Sequence, residues 1–150
     1  CTGCRRCEAN CTLANDGVAQ PYMSRIHVRD YAQFGGKVTV DYLDGEGIFG
    51  NWSIPAETCR QCKDAPCMVG CPVKAISPDP RTGARVVDES VCVGCGLCVT
   101  NCPWHMPRLR LDTGKSTKCI NCGACAAGCP TSALKMIQWE DVATAMSAGA

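Results

Sequence analysis

The chain of 150 residues holds sixteen cysteines and has a formal net charge of +1. Acidic and basic side chains are scattered, which argues against nucleic-acid binding, and the length fits one compact domain or two small halves with a shared core. Without the cysteines only roughly 35% of the residues are apolar, so a bound group is expected to replace part of the core.

The cysteines form four quartets that use every cysteine in the chain. Three quartets have the spacing C-x2-C-x2-C-x3-C, and the second has two extra residues before its third cysteine. In chain order the quartets are Cys1, Cys4, Cys7 and Cys11; Cys59, Cys62, Cys67 and Cys71; Cys92, Cys95, Cys98 and Cys102; and Cys119, Cys122, Cys125 and Cys129. Small side chains fill many intervals, as in "CINCGACAAGC" at 119–129, so each quartet predicts a backbone that approaches a bound group closely.

Alternating apolar and polar residues between the quartets predict short β-strands. After the first quartet, residues 24–43 are predicted to form an insert hairpin around Gly35–Gly36. After the second quartet, residues 75–77 and 85–88 are predicted to be the arms of another hairpin, joined by "PDPRTG". Residues 107–115 are predicted to supply one more strand and a turn.

Short helices are predicted where three quartets reach their last cysteine, in "CMVGC", "CVTNC" and "CAAGC". Beyond the last quartet, residues 132–139 are predicted to form a closing strand and residues 140–150 an alanine-rich helix. Together these elements predict the α+β class.

Three kinds of chemistry use many closely spaced cysteines. Disulfides are common in small cysteine-rich chains, but cysteines separated by two residues do not readily pair with each other. Zinc ribbons hold two C-x2-C pairs well apart in sequence, whereas here three cysteines follow one another closely. The spacing C-x2-C-x2-C-x3-C, followed by proline, is typical of [4Fe–4S] clusters that take their fourth ligand from a partner quartet.

The quartets therefore predict four [4Fe–4S] clusters, with all sixteen cysteines as iron ligands. Glycines such as Gly94 and Gly123 let the backbone reach inorganic sulfur, and amide dipoles offset the negative charge of cluster and thiolates. Only two histidines are present and no quartet lacks a ligand, so no catalytic residue is predicted. The separations between quartets leave open which of them exchange their fourth cysteines.

These motifs resemble the four-cluster electron-transfer subunits of molybdenum and tungsten oxidoreductases. The matching segments are "CTGCRRCEANC", "CRQCKDAPCMVGCPVKAI", "CVGCGLCVTNCPW" and "KCINCGACAAGCPTSAL". The resemblance implies a ferredoxin-like fold in which residues 1–150 form a single polyferredoxin unit of two pseudo-symmetric 2[4Fe–4S] modules. One module contains quartets 1–11 and 119–129 with the insert hairpin 24–43, the other contains quartets 59–71 and 92–102, and residues 131–150 form a C-terminal tail.

In that family the first and last quartets share two clusters, and the two middle quartets share the others. Carried over to this sequence, the resemblance implies four ligand sets: Cys1, Cys4, Cys7 and Cys129; Cys59, Cys62, Cys67 and Cys102; Cys71, Cys92, Cys95 and Cys98; and Cys11, Cys119, Cys122 and Cys125.

Two features separate the sequence from the dimethyl-sulfoxide-reductase branch of the family. It shows no long C-terminal extension of the kind that docks to membrane anchors, and its fourth quartet has no insertion. Both features favour the small subunit of a tungsten-type aldehyde oxidoreductase.

We therefore expect a non-catalytic subunit that relays electrons between a larger tungsten or molybdenum pterin catalytic subunit and a second redox subunit or soluble acceptor. Further copies of the chain are another candidate partner. The alternatives are a free-standing polyferredoxin carrier and a structural zinc-binding interaction protein. No apolar run reaches the ~20 residues of a membrane helix, so direct membrane insertion is not expected. Sixteen thiolates are suited to a reducing compartment, and the cytoplasm is therefore the expected location.

Overall fold

The computed structural model describes residues 1–29, 31–32, 52–141 and 144 of the chain. Within these residues the helices are α1 (Arg6–Asp16), α2 (Pro66–Val69), α3 (Leu97–Asn101) and α4 (Ala124–Ala127), with 3₁₀ turns at Pro21–Met23 and Trp139–Asp141. The strands are β1 (Ile26–Val28), β2 (Tyr31–Ala32), β3 (Trp52–Ser53), β4 (Ala56–Thr58), β5 (Ile76–Pro78), β6 (Arg85–Val87), β7 (Arg108–Leu109) and β8 (Ser116–Thr117). The predicted combination of short helices and short strands is confirmed.

The described strands pair as two-stranded antiparallel ladders, in the order β1–β4, β2–β3, β5–β6 and β7–β8. The hairpin predicted after the second quartet is confirmed, with Ile76 opposite Val87 and Pro78 opposite Arg85. The strand and turn predicted over 107–115 are confirmed as β7 and the connection to β8. Both hairpins are local, so their turn residues suffice to specify them.

The insert predicted over 24–43 pairs differently from the expectation. Its first arm forms ladders with residues after position 51: Ile26 lies opposite Thr58, and Val28 lies opposite Ala56. The predicted turn at Gly35–Gly36 and the second arm lie outside the described residues. Burial explains the observed pairing, because Ile26 and Val28 are part of a small core against which Ala56 packs.

The helical turns predicted in the last three quartets are confirmed as α2, α3 and α4. The first quartet carries a longer helix that the sequence did not suggest, since α1 continues past Cys11 to Asp16. Gly17 ends α1 in the left-handed conformation, with φ of 73°, and its amide donates a hydrogen bond to the Leu13 carbonyl at 3.2 Å.

The closing strand predicted over 132–139 is wrong. Residues 132–138 form neither helix nor strand, and Ser132 has a φ of 51°. The apolar residues that suggested a strand serve another purpose, because Leu134 packs against the core around Cys7 and Met136 lines a cysteine-lined cavity. Of the helix predicted over 140–150, only residues 140, 141 and 144 are described, so most of that prediction lies outside the described residues.

Two helix pairs organise the described part of the chain, with α1 packed against α4 and α2 against α3. Each contact brings an asparagine over a glycine. A Cβ atom added to Gly128 would lie 1.7 Å from Asn10 Nδ2, and one added to Gly70 would lie 1.9 Å from Asn101 Nδ2. At both glycines a larger residue would therefore have to displace the asparagine side chain. Among the described residues, no helix has the length and hydropathy needed to span a bilayer.

Candidate iron–sulfur centres

Cysteines line four cavities in the described part of the chain. Each cavity takes three cysteines from one quartet and the last cysteine of another. Cavity A is lined by Cys1, Cys4, Cys7 and Cys129, cavity B by Cys11, Cys119, Cys122 and Cys125, cavity C by Cys59, Cys62, Cys67 and Cys102, and cavity D by Cys71, Cys92, Cys95 and Cys98. These groupings correspond to the four sets that the family resemblance implies, and Cys59 is a fifth cysteine in the wall of cavity B. That the four sets bind iron stays a prediction.

The helices explain why the last cysteine of each quartet reaches a different cavity. Along α1, Cys7 lines cavity A and Cys11, one turn later, lines cavity B. The other three helices divide their cysteines in the same way: Cys67 and Cys71 around α2, Cys98 and Cys102 around α3, and Cys125 and Cys129 around α4. Cavities A and B therefore share α1 and α4, and cavities C and D share α2 and α3.

The two pairs of cavities meet at Cys59. This residue lines cavity C with the rest of its own quartet and also lies in the wall of cavity B. Gln61 strengthens the same junction, because its Nε2 donates a hydrogen bond to the carbonyl oxygen of Cys119 at 2.7 Å. The cavities consequently follow one another in the order A, B, C, D.

A left-handed residue precedes the second cysteine of every quartet. These residues are Gly3, Gln61, Gly94 and Asn121, with φ angles of 71°, 49°, 72° and 60°. In two of the loops this turn directs the amide back to the first cysteine: Gln61 N lies 3.5 Å from Cys59 Sγ, and Asn121 N lies 3.4 Å from Cys119 Sγ. In these two loops the backbone therefore places an amide donor within hydrogen-bond distance of a cysteine sulfur.

Further amides reach cysteine sulfurs from outside the loops. The backbone nitrogens of Arg25, Ala75 and Ser116 donate to Cys11, Cys71 and Cys92 at 3.4, 3.3 and 3.4 Å. The Ser116 hydroxyl also lies 3.1 Å from Cys98 Sγ. Oriented amide dipoles of this kind stabilise negative charge on sulfur without a charged side chain.

Burial disfavours the thiolate form of several of these cysteines in the absence of a bound cation. Burial raises the pKa of each of four thiols, those of Cys7, Cys67, Cys119 and Cys125. By contrast, a hydrogen bond from the Thr131 hydroxyl lowers the pKa of Cys129 to about 7. Because metal ligands must be deprotonated, a metal group that binds here displaces protons and offsets the cost of burying thiolates.

The donor set fits a cluster better than a disulfide framework or a single metal ion. All sixteen cysteines are free thiols, and the cavities have empty volumes of about 310 to 460 Å³, including space open to solvent. Among the described residues, no group of three His, Cys, Asp or Glu side chains converges closely enough for one metal ion. Thiolates spread around a cavity match a group wider than an ion, and an all-cysteine set is the usual ligand set of [4Fe–4S] clusters.

Sequence reasoning missed the polar residues around the cavities. Lys118 is buried beside cavity C, with 2% of its surface exposed. The Asp16 side chain is only 4% exposed, and it accepts hydrogen bonds from Arg25 and Arg110 at 2.7 Å each. The Arg25 bonds, followed by those of Arg110, hold the Asp16 pKa below its usual range. No local sequence signal marks these residues, because their partners lie far away in the chain.

Comparison with known proteins also points to [4Fe–4S] cluster binding. Residues 50–139 match the 4Fe–4S dicluster domain family, a segment that contains the last three quartets. The ferredoxin-like protein YdhY of Escherichia coli is 47% identical over 142 residues, which cover 95% of this chain and 67% of that protein. The polyferredoxin-like subunit of an aliphatic sulfonate oxidoreductase from Pyrococcus furiosus is 39% identical over 114 residues, covering 76% of this chain and 56% of the relative.

A third relative is the thiosulfate reductase electron transfer subunit PhsB of Salmonella typhi. It is 31% identical over 118 residues, covering 79% of this chain and 55% of the relative. The chain thus spans little more than half the length of these two oxidoreductase subunits. Their names describe electron-carrying subunits and not catalytic ones.

Proposed function

Because the chain belongs to the 4Fe–4S dicluster domain family, we propose that it is a non-catalytic electron-transfer subunit with four [4Fe–4S] clusters. The observation that carries the proposal is the set of four cavities, each lined by three cysteines of one quartet and the last cysteine of another. In this proposal the sixteen cysteines are the iron ligands, and cavities A to D each hold one cluster. The bound clusters supply one-electron redox chemistry, and the chain positions them, shields them and adjusts their potentials.

The order of the cavities supports a linear relay. Cavities A and D stand at the ends of the order, and Cys1 and Cys4 of cavity A and Cys95 of cavity D are exposed. Cys122 of cavity B is exposed as well. Electrons enter at one terminal cavity, cross the junction at Cys59 and leave at the other terminal cavity.

The partner in this proposal is a larger catalytic subunit with a molybdenum or tungsten pterin. The relatives from sulfonate oxidoreductase and thiosulfate reductase support a role in such complexes, because their names describe subunits of oxidoreductases. Within that class we propose a tungsten aldehyde oxidoreductase, on the motif resemblance described above. A second redox subunit or soluble acceptor receives the electrons. Further copies of the chain extend the relay when they dock at a terminal cavity. The proposed compartment is the cytoplasm.

The test is anaerobic purification of the tagged chain from its native host, with iron, sulfide, zinc, molybdenum and tungsten measured in the same sample. We expect a larger companion protein that contains tungsten or molybdenum, and we expect acetaldehyde to reduce the clusters of the complex. Reduction by dithionite but not by the aldehyde contradicts the aldehyde assignment alone. Clusters without any companion protein indicate a free-standing polyferredoxin instead.

Two matched variants in cavity D separate electron flow from assembly. Cys95→Ala removes one proposed ligand, while Val93→Ala changes an exposed residue of the same cavity that cannot bind iron. Both variants are expected to retain the companion, and only Cys95→Ala is expected to slow electron transfer along the relay. Equal rates in both variants contradict a cluster at cavity D in the relay.

A further inference from the structure

Lys118 is buried where the two pairs of cavities meet. Only 2% of its surface is exposed, and its side chain lines cavity C. The next residue, Cys119, lines cavity B. Cavities B and C also share Cys59. A single positive charge is therefore placed between two proposed cluster sites.

Neutral oxygen atoms hold the ammonium group in this position. Lys118 Nζ donates hydrogen bonds to the Arg85 carbonyl, to Gln61 Oε1 at 3.3 Å and to the Cys119 carbonyl at 3.5 Å. Gln61 is fixed in turn, because its Oε1 accepts a hydrogen bond from Arg85 N at 2.9 Å. The network joins the loop of the second quartet to that of the fourth.

The ammonium group has no acidic partner among the residues that the structure describes. The ion pairs found there involve other cations, and none of them includes Lys118. A buried ammonium without a counter-charge is costly, because hydrogen bonds to neutral oxygens only partly replace water. A negative group close to Lys118 would therefore stabilise its buried charge.

Proposed iron ligands lie on both sides of Lys118. Cys67 lines cavity C together with Lys118, and Cys119, the next residue in the chain, lines cavity B. Thiolates and cluster together carry net negative charge, so a cation that stabilises the thiolates of a cavity also stabilises its bound cluster.

Other cations at the two cavities are neutralised or reach solvent. Arg25 lines cavity B, but Asp16 pairs with it at 2.7 Å. Arg60 lines cavity C and is exposed, and the Arg85 guanidinium forms exposed hydrogen bonds with loop carbonyls. Salt and water screen such exposed charges much more than a buried one. Lys118 differs from these three cations because it is both buried and without a carboxylate among the described residues.

We propose that Lys118 is a redox-tuning residue, a fixed buried cation that raises the reduction potentials of the clusters in cavities B and C relative to those in A and D. The inference rests on the proposed function, because it requires a cluster in both cavities. Reduction adds one electron to a centre that is already negative, and a nearby positive charge therefore favours the reduced form. Electrons collect in the middle of the relay, between two terminal clusters of lower potential.

The test compares Lys118→Met, which removes the charge, with Lys118→Arg, which keeps it. The full chain is reconstituted with iron and sulfide under anaerobic conditions and titrated with dithionite at one fixed pH, and EPR spectroscopy gives the midpoint potential of each cluster. In Lys118→Met the equilibrium constant for reduction is expected to fall about tenfold at two of the four clusters, a shift of about 59 mV per electron. The other two clusters are expected to keep their midpoint potentials. In Lys118→Arg all four midpoint potentials are expected to stay near the wild-type values.

Lys115→Met is the matched control. Lys115 Nζ also donates a hydrogen bond to a backbone carbonyl, that of Cys92, but this carbonyl lies beside cavity D. The control is expected to leave the potentials in cavities B and C unchanged. If the methionine variant does not fold, Lys118→Gln serves as a second neutral variant, because glutamine keeps a hydrogen-bond donor at this position.

Three results for the potentials overturn the inference: unchanged potentials in a neutral variant, the same shift in Lys118→Arg, or the same shift in Lys115→Met. If both neutral variants lose two clusters that Lys118→Arg retains, Lys118 acts in cluster assembly and the redox-tuning inference is overturned. A wild-type chain with fewer than four clusters contradicts the proposed function instead, so the two failures are distinguishable.

Discussion

At the scale of single residues, Asp16 connects three elements around cavity B. It is the last residue of α1, and its carboxylate accepts hydrogen bonds from Arg25, just before β1, and from Arg110, just after β7. Its side chain is only 4% exposed. Arg25 in turn donates its backbone amide to Cys11 Sγ. By holding the Arg25 side chain, the Asp16 carboxylate therefore helps to position the Arg25 backbone amide against Cys11 Sγ in cavity B.

Asp16→Asn is expected to lower the free energy of unfolding by about 3 kcal/mol, because it leaves two arginines next to a neutral amide in a buried site. The Asp16 pKa is depressed in the folded state by the Arg25 hydrogen bonds. Its contribution is therefore fully present above the ordinary aspartate pKa of about 3.9 and is lost as the pH falls through the lower folded value. Urea unfolding of the cluster-loaded chain at pH 7 and pH 5 measures the effect, which should be equal at both.

Asp112→Asn is the matched control, since Asp112 also binds Arg110 at 2.7 Å but its side chain is 54% exposed. A much smaller loss of stability is expected, because solvent screens an exposed pair. Equal losses in the two variants contradict the structural role given to Asp16.

Residue identities were predictable from the sequence only where a repeated pattern existed. The spacing identified all sixteen cysteines as candidate iron ligands, because each quartet is a short local motif that recurs along the chain. The buried state of Lys118 depends on Gln61 and Arg85, which are remote in sequence. Asp16 likewise depends on Arg110, 94 positions away. Such residues are found only when the folded arrangement is known.

At the scale of elements, the loop of the third quartet packs against the turn between β7 and β8. Gly94 has a φ of 72°, and a Cβ atom added to it would lie 2.4 Å from the carbonyl oxygen of Gly114. The obstacle is backbone and not the end of a flexible side chain, so it cannot move aside easily. Cavity D therefore requires glycine at this position for two reasons, the left-handed backbone and the close contact.

Gly94→Ala is expected to cost about 3 kcal/mol or more, from the left-handed conformation together with the overlap. We also expect it to reduce cluster occupancy of cavity D. The measurement is iron content per chain combined with chemical unfolding. Gly83→Ala is the control, because Gly83 has a similar φ of 67° and open space around it. The control should cost only about 1 kcal/mol, and an equal cost in both variants contradicts the packing argument.

The same distinction between local and remote contacts decides which elements were predictable. The helical turns α2, α3 and α4 and the hairpin of β5 and β6 depend on neighbouring residues, and the sequence indicated each of them. The β1–β4 ladder joins residues about thirty positions apart, across a segment with no pattern that specifies the pairing. The segment at 132–139 alternates like a strand, but Ala133, Leu134 and Met136 line cysteine-lined cavities.

At the scale of the whole molecule, cysteine replaces much of the ordinary apolar core. Among the described residues, each of the two core clusters combines two cysteines with a few aliphatic side chains, such as Ile26 in one and Ile76 in the other. Neither cluster is large enough to hold such short helices and strands together comfortably. In the proposed function, bound clusters that each join two quartets supply the missing cohesion, because metal-binding free energy contributes directly to folding.

The composition of the chain and its fold agree for the same reason. A chain with few aromatic residues and short elements can remain compact when covalent iron–thiolate bonds connect segments that are distant in sequence. The four cavities connect the first quartet with the last and the second with the third. Cavities A and B then adjoin through α1 and α4, cavities C and D through α2 and α3, and cavities B and C through Cys59.

The measurement that tests the central claim most directly is the ratio of iron, acid-labile sulfide and zinc to protein after anaerobic reconstitution of the full chain. Four [4Fe–4S] clusters predict about sixteen irons and about sixteen sulfides per chain, with no zinc. About eight irons with eight sulfides would mean that only two of the four cavities bind clusters. Zinc without sulfide would contradict the assignment of all four.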